Sequence, residues 1–452
     1  MQTFFSEKQL TMPDISDADQ ILRSCVHCGF CNAVCPTYQL FGDESYGPRG
    51  RIYLIKQLLE NGQIGKEGVR ALDLCLTCRS CESTCPSGVD YARLLEIGKA
   101  GLSKNGGYSL FRKLLNQLLG LVVPYSSRFG VVVWMGRLLS FMLPRHQRAL
   151  LGLNPAKKKF LSPVNLAQTT TIDRRHKSKE ATETKTSRIR KIILLEGCVQ
   201  KTCTPEVNLA LRRILDCFDI GVHTISDESC CGALDQHLPR EDQAKNHMRG
   251  LIDQLWSKLK SWEGTLSEAA DIADIPYCIV STASGCGGTI KEYDKLLAHD
   301  ESYASKARQI ALLTRDASEL IAELAGERKL RCASQKVALH LPCSLQHVQK
   351  LGPELTALLR KLGFDLVEVR DQHLCCGSAG SYSLFHPLIG EKLRDEKMGQ
   401  LLREVPEVIV TANIGCQLHL SGASEAQDIP VMHWLELVAA SILDDTDVSQ
   451  TG

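Results

Sequence analysis

Short apolar runs at residues 192–195, 279–281, 337–341 and 408–410 are rich in Ile, Leu and Val and too brief for helices. They predict buried β-strands. Between them, apolar positions at helical spacing over 207–218 and 355–362 predict amphipathic helices, and a further strand-like run precedes each Cys-Cys-Gly triplet. Strand, helix, strand, helix, strand is the pattern of a small parallel α/β unit, and it occurs twice. Earlier in the chain, residues 48–56 read as a helix start followed by an amphipathic face. Residues 111–143 are apolar and helix-like with scattered Arg and Lys, whereas 154–191 are rich in Lys, Arg, Thr and Ser without periodicity and read as an exposed linker.

The two α/β units are copies of one another. Cys198, Cys230 and Cys231 map onto Cys343, Cys375 and Cys376 with the same displacement of 145 positions, which one duplication explains. Each copy ends its third strand in related words, Thr-Ala-Ser-Gly-Cys at 282–286 and Thr-Ala-Asn-Ile-Gly-Cys at 411–416; the first copy carries extra residues around 262–274. In such units ligands collect beyond the carboxyl ends of the strands. Cys198, Cys230, Cys231 and Cys286 in one copy, and Cys343, Cys375, Cys376 and Cys416 in the other, therefore make two sets of four thiols, each able to hold one metal cluster. Strained vicinal disulfides or ordinary buried cysteines are the plain alternatives, and the repetition argues against chance. Cys203, Cys217, Cys278 and Cys332 have no counterpart in the other copy and read as ordinary thiols.

A chain of 452 residues exceeds what one hydrophobic core organises. The expected divisions are 1–102, a two-cluster ferredoxin-type domain; 103–190, a helical segment and basic linker; 191–330, the first cysteine-rich repeat; and 331–452, the second. The fold class expected is a multidomain α+β and α/β architecture. Charge is balanced, with 53 basic against 52 acidic side chains, so nucleic acid is not expected as a partner. The 20 cysteines come without a basic region and apolar stretch at the N-terminus, so an exported disulfide scaffold is not expected. Reduced cytoplasmic thiols point instead towards metal. The chain holds no uninterrupted apolar run of about 18 residues, the length a spanning helix needs, so it is not expected to cross a membrane.

Eight of the cysteines form two motifs, Cys25, Cys28, Cys31, Cys35-Pro36 and Cys75, Cys78, Cys81, Cys85-Pro86, both reading C-x2-C-x2-C-x3-C-P. This is the spacing of two-cluster bacterial ferredoxins. Three thiolates three positions apart wrap three corners of an iron-sulfur cube, while the fourth, redirected by proline, reaches the partner cube. The expected ligation is crossed: Cys25, Cys28, Cys31 and Cys85 for one [4Fe-4S] cluster, and Cys75, Cys78, Cys81 and Cys35 for the other. Structural zinc is the alternative, but zinc motifs pair cysteines rather than set three in a row. Arg49 and Arg51, between the motifs, either offset cluster charge or belong to a solvated helix turn.

With these motifs the chain resembles the family of proteins that join ferredoxin-type motifs to CCG cysteine-rich domains, found in heterodisulfide reductase, anaerobic glycerol-3-phosphate dehydrogenase and glycolate oxidase. The strings Cys-Val-His-Cys-Gly-Phe-Cys at 25–31, Gly-Pro-Arg-Gly-Arg-Ile-Tyr-Leu-Ile-Lys at 47–56, Thr-Ala-Ser-Gly-Cys-Gly at 282–287 and His-Leu-Cys-Cys-Gly-Ser-Ala-Gly at 373–380 carry the likeness to the glycolate oxidase iron-sulfur subunits. The resemblance covers nearly the whole chain. In the heterodisulfide reductase branch each repeat ends in C-x-x-C, whereas here Ala283 and Asn413 stand where the earlier cysteine would be. Neither that branch's non-cubane cluster nor its disulfide chemistry therefore carries over. Further clusters in the repeats stay an open alternative, favoured in the second by His340, His347 and His373 nearby, each of which also reads as a packing residue.

No G-x-G-x-x-G follows a strand and no P-loop is present, so hydride chemistry on a hydroxy acid is expected on another subunit. The resemblance implies an electron-transfer role: two partner flavoprotein subunits with FAD oxidise glycolate, and also (R)-lactate, to the keto acid, and this chain passes electrons to an acceptor such as membrane quinone. The chain would then be cytoplasmic or peripheral on the inner face of the cell membrane. A second reading, from another class, is a reductase that itself acts on a disulfide or quinone; a third is a zinc-held scaffold. For 111–143, a helix pair inside the core is preferred over contact with a bilayer surface or a partner subunit.

Overall fold

The computed structural model describes residues 1–104, 107–143, 145–153, 189–262, 275–327, 330, 332–423 and 429–442. The linker reading at 154–191 lies outside these, except for its last three residues, as does most of the additional stretch at 262–274. Helices Pro13–Ser24, Pro48–Asn61 and Tyr91–Lys104 pack around one apolar cluster that includes Leu22, Ile52, Ile55, Leu58, Leu94 and Leu95. Pro13 and Pro48 sit in first turns, where a missing N–H costs nothing. This small helical unit carries both ferredoxin-type motifs on its loops.

Each repeat is a four-stranded parallel sheet. The first runs β2-β1-β3-β4, with β1 Lys191–Leu195, β2 Gly221–His223, β3 Tyr277–Ser281 and β4 Thr314–Asp316. The second runs β6-β5-β7-β8, with β5 Lys336–His340, β6 Asp365–Leu366, β7 Val408–Thr411 and β8 Val431–His433. The fourth strands were not legible as apolar runs, because Thr-Arg-Asp and Val-Met-His are only three residues long. In both sheets the order reverses between the first and third strands; Cys198 and Cys286, and Cys343 and Cys416, follow the carboxyl ends of those two strands, while each Cys-Cys pair follows the second strand.

The repeats pack on each other about an approximate two-fold. Helix Glu206–Asp216 of the first meets Trp434–Ser441 of the second, and Ala317–Glu327 of the first meets Gly352–Leu362 of the second. One apolar core results, in which Ile192, Leu194 and Val280 join Val337, Leu339 and Val410. Alternation along each strand sends the other side chains, Ile193 and Leu195 in β1 and Ala338 in β5, to the opposite face with the paired cysteines.

Candidate metal centres

The two ferredoxin-type loops have the same backbone. His27 and Gly29 in the first, and Thr77 and Arg79 in the second, adopt positive φ of 56°, 84°, 52° and 61°. Such reversals of hand turn successive N–H groups inward, the arrangement that cradles anions and iron-sulfur centres. Short helices Phe30–Ala33 and Ser80–Thr84 follow, and Cys35 and Cys85 leave them extended, each ahead of its proline.

Four thiols, Cys25, Cys28, Cys31 and Cys85, line one cavity, and Cys35, Cys75, Cys78 and Cys81 line a second, with Cys81 and Tyr91 on the wall between. The Cys31 thiol is pushed up to about 11 by burial and then by Cys25, Cys28 and Cys85 beside it. Cys81 is raised by burial and by Cys78, Cys75 and Cys35. Thiols so close that each disfavours its neighbour's ionisation need a cation to neutralise them, so the donor sets fit iron-sulfur clusters. Burial alone would also raise Cys75. The positive charges of Arg51 and Lys99 and the Tyr91 hydroxyl, whose oxygen lies 3.5 Å from its sulfur, hold it below the ordinary thiol range instead.

Arg51 is not a solvated helix-turn residue. Only 1% exposed, it donates to Ala71 O at 2.7 Å, Thr37 Oγ1 at 2.9 Å and Cys35 Sγ at 3.8 Å. Arg49 instead pairs with Glu44 at 2.6 Å near the surface. Tyr91 and Lys99 were missed from sequence because they lie beyond the motifs on helix Tyr91–Lys104; only packing brings them to Cys75.

In the repeats, Cys198, Cys230, Cys231 and Cys286 form one chain of neighbouring thiols, with Cys198 Sγ 3.9 Å from Cys230 Sγ; Cys343, Cys375, Cys376 and Cys416 form the other. None of the 20 cysteines is in a disulfide, so neither adjacent pair is a vicinal disulfide. Gly232 and Gly377, at φ 85° and 87°, donate their N–H to Cys230 and Cys375 sulfur at 3.5 and 3.4 Å. A Cβ on Gly377 would meet Gly390 O at 2.5 Å, so that turn requires glycine.

The second repeat's thiols adjoin the second ferredoxin-type loop. Cys78 packs in one cluster with Cys343 and Cys375; Cys343 raises Cys78, and Cys78 raises Cys375. Ser83 Oγ lies 3.0 Å from His347 Nδ1, and Arg79 donates to Glu292 at 2.6 Å, so both repeats grip the helical unit. His347 also reaches His373 O through Nε2 at 3.1 Å. Cys278 and Cys332 face the shared apolar core, away from these sites.

The 111–143 segment departs from expectation. Helices Leu110–Val122 and Ser126–Leu138 meet at a bend of 105° and are not a core pair. Phe111, Trp134, Phe141 and Met142 are 64–76% exposed, and the pair is tied to the repeats through Val133 and Phe129 packed with Cys203, Arg137 donating to Cys203 O at 3.3 Å and Arg112 stacked on Phe385. Among the described residues no single helix is long and apolar enough to cross a membrane.

Thiol quartets of this kind on a ferredoxin-type unit, joined to paired cysteine-rich α/β repeats, define an iron-sulfur electron-transfer subunit. The family model of the 4Fe-4S dicluster domain matches residues 21–89, and that of the CCG cysteine-rich domain matches 192–291 and 337–421. The chain is 42% identical over 442 residues to the glycolate oxidase iron-sulfur subunit of Escherichia coli (strain K12), covering 98% of this chain and 99% of that one. It is 28% identical over 426 residues, 90% of each chain, to the probable glycolate oxidase iron-sulfur subunit of Bacillus subtilis (strain 168). Lactate utilization protein A of Bacillus velezensis matches at 25% over 252 residues, 55% of this chain and 98% of that protein. The chain belongs to the family of glycolate oxidase iron-sulfur subunits.

Proposed function

We propose that this chain carries electrons within a complex that oxidises glycolate to glyoxylate, with (R)-lactate as a further substrate. Two flavoprotein subunits holding FAD perform the oxidation, and a membrane quinone takes the electrons. Cys25, Cys28, Cys31 and Cys85 hold one [4Fe-4S] cluster, and Cys75, Cys78, Cys81 and Cys35 hold the other; such clusters accept and release one electron at a time. The chain's own residues exclude water from the second quartet, set its charge through Arg51 and Lys99, and leave the first near the surface, where Cys28, Val26 and Phe30 are exposed for a partner.

The observation that supports this reading is the unbroken series of thiol sites. It starts at exposed Cys28, crosses the wall shared by Cys81 and Tyr91, and continues through Cys78 to Cys343 and Cys375. In the assembled complex, Cys78→Ser should leave flavin reduction by glycolate intact while quinone reduction falls by an order of magnitude or more. Stopped-flow absorbance of the flavin beside quinone turnover measures both. Unchanged quinone reduction would overturn the reading.

Quinone as acceptor calls for contact with a bilayer, and the exposed apolar helix pair supplies a surface for it. Between Ile97 and Ile172 the chain has no Asp or Glu, while Lys113, Arg128 and Arg137 lie on the pair itself. Apolar side chains edged by cations suit the interface of an anionic membrane, with the 105° bend favouring helices lying along the surface. The pair is therefore read as the element that rests on the lipid.

A further inference from the structure

The two repeats share a backbone and a thiol set but surround it differently: the first has Glu228 near Cys198 and the Tyr293 hydroxyl donating to Cys231 O at 2.8 Å, whereas the second has an imidazole. In the second repeat an imidazole nitrogen of His340 and the sulfurs of Cys376 and Cys416 lie within 4.8 Å of one another, all buried. His340 Nδ1 lies 2.9 Å from Thr411 Oγ1 on the neighbouring strand. With Nδ1–H donating there, Nε2 keeps its lone pair, which is how a metal-ligating histidine is oriented by a second hydrogen bond.

Strand register makes the comparison with the first repeat strict. β5 pairs His340 with Thr411, and β1 pairs Leu195 with Ser281, so leucine stands where the second repeat has its imidazole. The same contrast recurs around the site. Lys397 is 2% exposed, donates to Asp371 O at 2.8 Å and feels the charges of Cys375, Cys376 and Cys416; the residue 145 positions earlier is Ile252, in the apolar cluster behind Cys230 and Cys231. Asn413 Nδ2 donates to Cys416 Sγ at 3.8 Å, where the first repeat has Ala283. An imidazole, an ammonium and an amide have each been placed against thiols in a buried site, where unpaired polar groups are costly. A metal centre accounts for all three together.

From this we infer that the second repeat holds an iron-sulfur centre ligated by Cys343, Cys375, Cys376, Cys416 and the Nε2 of His340, and that the first repeat lacks the imidazole ligand. Five donors exceed the four of a structural zinc site, and mixed thiolate and imidazole ligation is established iron-sulfur chemistry. Lys397 lies where it offsets the negative charge of the thiolates. The site adjoins Cys78, so the inference rests on the electron-carrying reading and adds a centre next to the second quartet.

The test uses the full chain, purified without oxygen and labelled with ¹⁵N-histidine. Iron and sulfide are counted, and pulsed electron paramagnetic resonance is read for histidine nitrogen coupling. The expected result is iron above the about eight that two cubanes account for, with a signal coupled to histidine nitrogen. His340→Leu, which installs the first repeat's residue, should lose that coupling and the excess iron while the ferredoxin-type signals persist. His340→Cys should keep the iron and lose the coupling. Iron no higher than about eight, zinc in place of the excess, or a third signal unchanged in His340→Leu would overturn the inference. Loss of the ferredoxin-type signals from the unsubstituted protein would instead overturn the reading on which it rests.

Discussion

Arg51 shows how one side chain sets the character of a redox site. On helix Pro48–Asn61 the buried positions are Pro48, Arg51, Ile52, Ile55 and Leu58, an i, i+3, i+4 stripe with an arginine in it. From sequence Arg49 and Arg51 read alike, as offsetting cluster charge or as part of a solvated turn; the packing separates them, burying Arg51 in the stripe and leaving Arg49 with Glu44. A fixed positive charge beside Cys35 and Cys75 favours the more negative, reduced state of whatever those thiols hold. Arg51→Met should lower one cluster's midpoint potential by on the order of 100 mV, as a unit charge a few ångströms away in a partly buried site implies. Arg51→Lys, which keeps the charge, should shift it less. A potentiometric titration followed by electron paramagnetic resonance distinguishes the two clusters; equal potentials in wild type and Arg51→Met would count against this role.

At the level of elements, helices Leu110–Val122 and Ser126–Leu138 show where pattern runs out. Residues 131–135 read Val-Val-Val-Trp-Met, and the second helix has no polar face to say which side meets solvent. A helix apolar all round is usually a core helix, which is why an internal pair was expected. Only the packing reveals that the core is already filled from elsewhere and that the pair is held at a few points, Val133, Phe129, Arg137 and Arg112, with its large apolar side chains left outside. The full chain should sediment with vesicles of phosphatidylglycerol and phosphatidylcholine and be released by high salt. Trp134→Asp with Phe141→Asp should stay in the supernatant. Failure of the unsubstituted chain to sediment, or sedimentation unaffected by the double substitution, would leave the pair as a surface for a protein partner instead.

Across the whole molecule, the two-fold packing of the repeats makes them one cooperative body. Their sheets share the core formed by Ile192, Leu194, Val337, Leu339 and Trp434, so neither repeat covers its own inner face. A chain ending at residue 330 should therefore expose that face, bind the dye ANS strongly and lose cooperative thermal unfolding; a sharp transition in that fragment would refute the shared-core account. By itself the sequence determined the number and spacing of thiols, the duplication and the order of the first three strands of each repeat, because these depend on local period and on residue type. It also carried the expectation of crossed quartets, since C-x2-C-x2-C-x3-C-P confines three sulfurs to one turn. Tertiary structure decided what sequence separation hides. It brought buried Arg51 and half-buried Lys99 to Cys75, set Cys78 beside Cys343, and placed the His340 imidazole among buried cysteines. The physical reason is that charge and ligand contacts act over a few ångströms of space, whatever the distance along the chain, and only packing brings such groups together.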